Sequence, residues 1–148
     1  MSSPNFSKIV EMPPGDFTFG LIKPGVQFDV VAEIYQMIQD GGMELHTLPP
    51  TVMSSGDVRR LYYEHIGKHF YARNEAYLMS GPSVRMLIVG MGAQPLWRQF
   101  LMPTIREKFV AKWTAPDQQH LNLVHGSDSA LSALREVALL WPFPGRWT

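Results

Sequence analysis

The sequence contains no cysteine among its 148 residues. This absence excludes a disulfide scaffold and a cysteine-ligated zinc site, and it is compatible with a reducing compartment. No apolar run approaches the roughly 20 residues that cross a bilayer. The N-terminal residues 1–16 lack the basic start and apolar centre of a signal peptide. We therefore expect a cytoplasmic protein with no membrane partner.

The sequence also has no excess of charge of either sign. Thirteen Lys and Arg residues balance thirteen Asp and Glu residues, so overall charge provides no attraction to nucleic acid. Hydrophobic residues make up 45% of the chain and charged residues 18%, which is typical of a globular protein. We expect an N-terminal arm over residues 1–16, flexible or loosely docked, and a single domain over residues 17–148.

The hydrophobic pattern predicts alternating strands and helices. Strands are predicted at 17–22, 43–48, 84–89 and 121–124; helices are predicted at 29–40, from 54 to 65, and at 70–79, 94–101, 105–113 and 129–141. With the extra helices set aside, the order is βαββαβ. This order predicts an α+β fold of the ferredoxin-like kind, an antiparallel sheet covered by helices.

The most informative segment is His125-Gly126-Ser127-Asp128-Ser129, which follows the last predicted strand and precedes the clearest helix. A histidine before a small residue and three hydroxyl or carboxylate groups is poorly suited to a core. It is suited to presenting an imidazole to a phosphate, since neutral imidazole is a competent nucleophile near neutral pH. Taken alone, such a histidine is more often hydrogen-bonded to backbone at the end of a strand.

Four separated fragments resemble the nucleoside diphosphate kinase family. They are FGLIKPGVQ (19–27), Tyr62 with EH-GKHFY (64–71), MSGP (79–82) and NLVHGSDS (122–129), the last followed by Glu136. The resemblance covers about residues 17–142. It implies transfer of the γ-phosphate from a nucleoside triphosphate to a nucleoside diphosphate by a ping-pong mechanism through a phosphohistidine. It also implies Mg²⁺ bound through the nucleotide phosphates, and a homo-oligomer.

The same resemblance implies roles for residues around the nucleophile. His125 matches the phosphorylated histidine, and Glu136 stands at the family's eleven-residue offset, where a glutamate orients the imidazole. Lys23 matches a phosphate-binding lysine, Tyr62 a tyrosine close to the histidine, and Ser127 a hydroxyl beside it. Tyr62 could instead belong to the core, Glu136 could be an exposed helix carboxylate, and Ser127 could cap the last helix.

Further matches imply a nucleotide-binding set. Arg98 and Arg106 match two phosphate-binding arginines, Phe70 an aromatic that stacks on the base, Asn122 a sugar-contacting amide, and Thr104 a phosphate-contacting threonine. Without the resemblance, Arg98 would more often be a surface residue, Phe70 a core residue and Asn122 a turn residue.

Three departures distinguish this chain from the family pattern. One residue is missing between Pro24 and Gly25, the segment 98–106 is much shorter, and the segment 108–120 is longer. Gln119 stands near the position of the apolar residue that usually packs on the second face of the base. We therefore expect broad base tolerance and an assembly smaller than a hexamer. The alternative function is a catalytically weakened nucleotide-binding or scaffold protein with the same fold.

Overall fold

The computed structural model describes residues 4–113 and 123–143. The helices are α1 (Phe6–Val10), α2 (Phe28–Asp40), α3 (Ser55–Leu61), α4 (Tyr71–Leu78), α5 (Ala93–Pro95), α6 (Met102–Trp113) and α7 (Ala130–Leu140). A 3₁₀ turn spans Tyr63–His65, and a π-helical turn spans Leu96–Leu101. The strands are β1 (Phe17–Ile22), β2 (Glu44–Thr47), β3 (Thr51–Val52), β4 (Pro82–Val89) and β5 (Val124–Gly126).

The sheet has the strand order β2-β4-β1-β5, and all of these neighbours are antiparallel. The short strand β3 pairs with the beginning of β4. Without β3 and the helices around it, the elements follow the βαββαβ order with the helical segments returning the chain across the sheet. The predicted ferredoxin-like α+β fold is therefore confirmed.

Helices cover both faces of the sheet. On one face α2, α5 and α6 bury a cluster that includes Ile34, Ile88 and Trp97. On the other face α1, α3, α4 and α7 bury a second cluster that includes Phe19 and Val137. Strand alternation explains this division, because successive side chains of β1 point to opposite faces.

The N-terminal arm is docked in the described part of the chain. Asn5 caps α1 by accepting a hydrogen bond from the Lys8 backbone N–H, and Ile9 is fully buried in the second core cluster. The Phe6 ring lies edge-on to Phe143, with 5.3 Å between centroids. The sequence predicted a flexible or loosely docked arm, and it could not show this contact because the residues that pack against Ile9 are distant in the chain.

The last strand and the preceding helices also differ from the predicted boundaries. Described strand β5 contains His125, which pairs with Leu21, whereas the prediction ended the strand at Val124. The two helices predicted at 94–101 and 105–113 form one helical run with a π turn inside it. The hydrophobic pattern placed the polar His125 after the strand, but pairing with β1 keeps it in the sheet.

Candidate active site

A cavity of about 300 Å³ lies beside β5 and contains most of the predicted site residues. Lys23 enters it from the end of β1, and Tyr62 and Phe70 enter from the segment between α3 and α4. The helical run 93–113 contributes Arg98 and Arg106, β5 contributes His125, and α7 contributes Glu136. Five separate parts of the fold therefore meet at one polar cavity.

The His125 imidazole is held at both ring nitrogens. Nε2 lies 2.8 Å from Oε1 of Glu136, and Nδ1 lies 3.2 Å from the Tyr62 hydroxyl. A buried carboxylate accepts hydrogen bonds, so Nε2 carries the hydrogen and donates it to Glu136. Nδ1 then presents its lone pair toward the cavity and accepts from the tyrosine. This tautomer leaves Nδ1 as the nucleophilic atom.

The Glu136 carboxylate is itself held from behind. It is only 3% exposed, and its Oε1 also accepts a hydrogen bond of 3.0 Å from Oγ of Ser127, which is fully buried. Arg135 approaches the other oxygen at 3.5 Å. Ser127 therefore contacts the orienting carboxylate, and it is not among the residues that line the cavity. Ser129, by contrast, caps α7 by accepting from the Ser132 backbone N–H.

Lys23 is a buried cation at the base of the cavity. Its side chain is 6% exposed, and its backbone N–H donates to the Leu123 carbonyl over 2.9 Å. Burial, and after it the positive charge of Arg106, lower the pKa of Lys23 from 10.5 to about 7. An anion in the cavity would oppose both effects, because a nearby negative charge favours the charged form of a lysine.

Two arginines face the same cavity from the helical run 93–113. Nη1 of Arg98 donates to the Gly126 carbonyl at 2.7 Å, and Nη2 of Arg106 donates to the Val124 carbonyl at 3.3 Å. Burial and then the charge of Arg98 lower the pKa of Arg106. Each guanidinium has five N–H donors. Two guanidinium groups and a lysine amine gathered in one cavity form a site suited to a phosphate chain.

Tyr62 supplies a hydroxyl that stays protonated. Burial raises the pKa of Tyr62 well above its usual range, and the nearby Glu136 carboxylate adds to this effect. Its hydroxyl can therefore donate to His125 Nδ1 or to an oxygen that replaces it. Phe70 lies at the cavity mouth with 39% of its surface exposed, in edge contact with the His65 and His69 rings. Its exposed surface is available for stacking.

Not every predicted residue reaches the cavity. Thr104 is exposed on α6, and its Oγ1 donates to the Phe100 carbonyl at 2.9 Å, so it does not line the cavity. Asn122 and Gln119 lie outside the described residues. The cavity also contains Asn74, which the sequence reading missed. Asn74 lies between Tyr71 and Leu78 on the buried face of α4. A polar residue at a buried position of a helix is the sequence feature that could have indicated its place in the site.

The chain is similar to known proteins over most of its length. The family model described as nucleoside diphosphate kinase matches residues 16–143. The chain is 38% identical over 130 residues to a nucleoside diphosphate kinase of Mycobacterium avium (strain 104), covering 84% of this chain and 96% of that protein. It is 33% identical over 135 residues to nucleoside diphosphate kinase 6 of Rattus norvegicus, covering 84% and 76%.

A solved structure shares the fold. The nucleoside diphosphate kinase of Aquifex aeolicus superposes with a TM-score of 0.70 at 23% identity, covering 86% of this chain and 95% of that one. The chain belongs to the nucleoside diphosphate kinase family.

Among residues 4–113 and 123–143, no group of three or more His, Asp and Glu side chains is placed to hold a metal ion. Across the same residues, no helix is long and apolar enough to cross a bilayer.

Proposed function

We propose that this protein transfers the γ-phosphate of a nucleoside triphosphate to a nucleoside diphosphate through a phosphohistidine at His125. The observation that supports this most directly is the pairing of His125 Nε2 with the buried Glu136 at 2.8 Å, in a cavity that three basic side chains also line. Family membership supports nucleotide phosphotransfer in general. The ping-pong route is the finer proposal.

In the first half-reaction, Nδ1 of His125 attacks the γ-phosphorus. The N–P bond forms as the bond from phosphorus to the β,γ-bridging oxygen breaks, and the nucleoside diphosphate leaves with that oxygen. Glu136 stabilises the positive charge that develops on the imidazole, because it accepts the Nε2–H hydrogen bond. In the second half-reaction an acceptor diphosphate attacks phosphorus, the N–P bond breaks and the neutral imidazole returns.

The cations provide most of the remaining catalysis in this proposal. Phosphoryl transfer spreads charge over the equatorial oxygens, and positioned cations stabilise that charge. Lys23, Arg98 and Arg106 line the same cavity as His125. The Tyr62 hydroxyl, now bonded to Nδ1 at 3.2 Å, would move to an oxygen of the incoming phosphoryl group. Phe70 would stack on the base.

Magnesium fits this proposal only as a partner of the nucleotide. The cavity's carboxylates are Glu64, Asp128 and Glu136, and Glu136 is already engaged by His125 and Ser127. We therefore propose that Mg²⁺ is bound through the phosphates, where it would neutralise charge on the triphosphate. The protein's own side chains would supply orientation and proton placement.

The test is incubation with a γ-labelled nucleoside triphosphate and Mg²⁺, using the wild-type protein and His125→Gln. We expect the wild type to form an acid-labile, base-stable phosphoprotein that discharges onto an added diphosphate. His125→Gln should form none while still binding nucleotide. If the wild type binds nucleotide but forms no phosphohistidine, the protein is the binding or scaffold member instead.

A further inference from the structure

Four consecutive backbone carbonyls around the nucleophile are each held by a side chain of one helical run, residues 93–113. The donors are Arg106 to Val124 (3.3 Å), Trp97 to His125 (3.2 Å), Arg98 to Gly126 (2.7 Å) and Gln94 to Ser127 (2.9 Å). Two of these donors are the cavity arginines. The other two, Trp97 and Gln94, are neutral, buried and outside the cavity lining.

The Trp97 indole packs directly against the backbone of β1 and β5 at two glycines. Gly20 of β1 and Gly126 of β5 are register partners. A Cβ on Gly126 would lie 2.7 Å from the Trp97 indole nitrogen, and one on Gly20 would lie 3.2 Å from it. A side chain at Gly126 would therefore overlap the indole, and one at Gly20 would press against it. Trp97 is fully buried there.

The indole acts from the face of the sheet opposite to the imidazole. Val124 and Trp97 share the first core cluster, whereas the His125 ring lies near Phe19, which belongs to the second. Strand alternation produces this arrangement. The indole N–H therefore constrains the backbone of His125 without touching its side chain or the cavity contents.

We propose that Trp97 is a positioning residue for His125. Its Nε1–H holds the carbonyl of His125 and, through it, the direction in which Nδ1 points into the cavity. Strand β5 has only three residues and lies at the edge of the described sheet, so pairing with β1 alone constrains it weakly. A displacement of about 1 Å at a reacting group costs on the order of a hundredfold in rate. The expected effect on the rate of phosphohistidine formation rests on the proposed function, whereas the hydrogen bond from Trp97 to the His125 carbonyl does not.

The test variant is Trp97→Phe, which keeps an aromatic ring and removes the N–H. The matched control is Trp141→Phe, since Trp141 is equally buried but belongs to the second core cluster. We expect Trp97→Phe to lower the single-turnover rate of phosphohistidine formation about tenfold, while affinity for a non-hydrolysable triphosphate analogue changes by less than about twofold. Trp141→Phe should lower the thermal midpoint and leave the single-turnover rate unchanged.

A second variant, at Gly20, tests the same contact. A Cβ at Gly20 would lie 2.9 Å from the flexible end of Met86 and 3.2 Å from the Trp97 indole nitrogen. Gly20→Ala should therefore press on Trp97 and lower the rate in the wild-type background, but lower it less in the Trp97→Phe background, where the indole nitrogen is absent. If Trp97→Phe does not fold, Gly20→Ala alone supplies the test. Full additivity of the two rate losses would overturn the proposal.

Nitrogen-15 resonances of the His125 ring supply a readout that needs no catalysis. They should shift in Trp97→Phe and stay in place in Trp141→Phe. If the wild type forms no phosphohistidine, the proposed function fails, and these resonances still decide the role of Trp97. A folded Trp97→Phe with wild-type resonances, or with the wild-type rate, would overturn it.

Discussion

Lys23 should make both stability and nucleotide binding depend on pH in the neutral to alkaline range. In the fold its pKa is about 7, whereas the unfolded chain retains 10.5. Between these two values the unfolded state holds the proton and the folded state has released it. The stability of the unliganded protein therefore rises as pH increases from about 7 to 10.5. At 1.36 kcal/mol per pH unit, the full difference is up to about 5 kcal/mol.

The perturbation is Lys23→Met, which keeps the aliphatic stem and removes the charge. Below pH 7 the wild type bears the whole cost of a buried ammonium, so the variant should be more stable there. The difference should shrink toward pH 10 as wild-type Lys23 becomes neutral. Chemical denaturation at pH 6, 8 and 10 measures this trend. A constant difference across that range would refute the reasoning.

Nucleotide affinity should show the opposite pH dependence and fall as pH rises above about 7, because Lys23 loses its charge. At pH 8 only about one tenth of a lysine with a pKa of about 7 is charged, and a bound phosphate favours the charged form. Binding at pH 8 should therefore take up close to one proton, measurable by calorimetry in two buffers with different ionisation heats. Subtracting the result for Lys23→Met removes the nucleotide's own proton exchange. Equal uptake in both proteins would refute the assignment to Lys23.

Four other outcomes are expected. Glu136→Gln should slow phosphohistidine formation about ten- to a hundredfold in rapid-quench assays with nucleotide affinity retained, because an amide cannot offset imidazolium charge; an unchanged rate would make Glu136 structural only. Arg98→Ala and Arg106→Ala should each cost about a hundredfold in turnover, whereas Thr104→Ala should match the wild type, because its hydroxyl is bonded within α6; equal effects would contradict the cavity assignment. Phe70→Ala should weaken the binding of purine and pyrimidine nucleotides alike, by about 1–3 kcal/mol; strict selection of one base would contradict this expectation. Light scattering on dilution should show an assembly smaller than a hexamer; a hexamer that is stable at nanomolar concentration would contradict it.

The sequence, through its resemblance to a known family, predicted His125 as the reacting group and Glu136 as its partner. His125 and Glu136 stand eleven residues apart across a strand-to-helix turn, and the structure places Nε2 of the histidine 2.8 Å from Oε1 of the glutamate. The order of strands and helices likewise follows from local periodicity, which is why the ferredoxin-like arrangement could be predicted. These features depend on residues close in the chain, where backbone geometry limits the possible distances.

Only the tertiary structure decided how the rest of the site is assembled. It placed Ser127 behind Glu136, turned Thr104 away from the cavity, and brought Trp97 under the carbonyl of His125. It also produced the low pKa of Lys23, which requires burial and a second cation 83 positions further along the chain. Such contacts depend on which faces of distant elements pack together, and sequence periodicity carries no information about those distances.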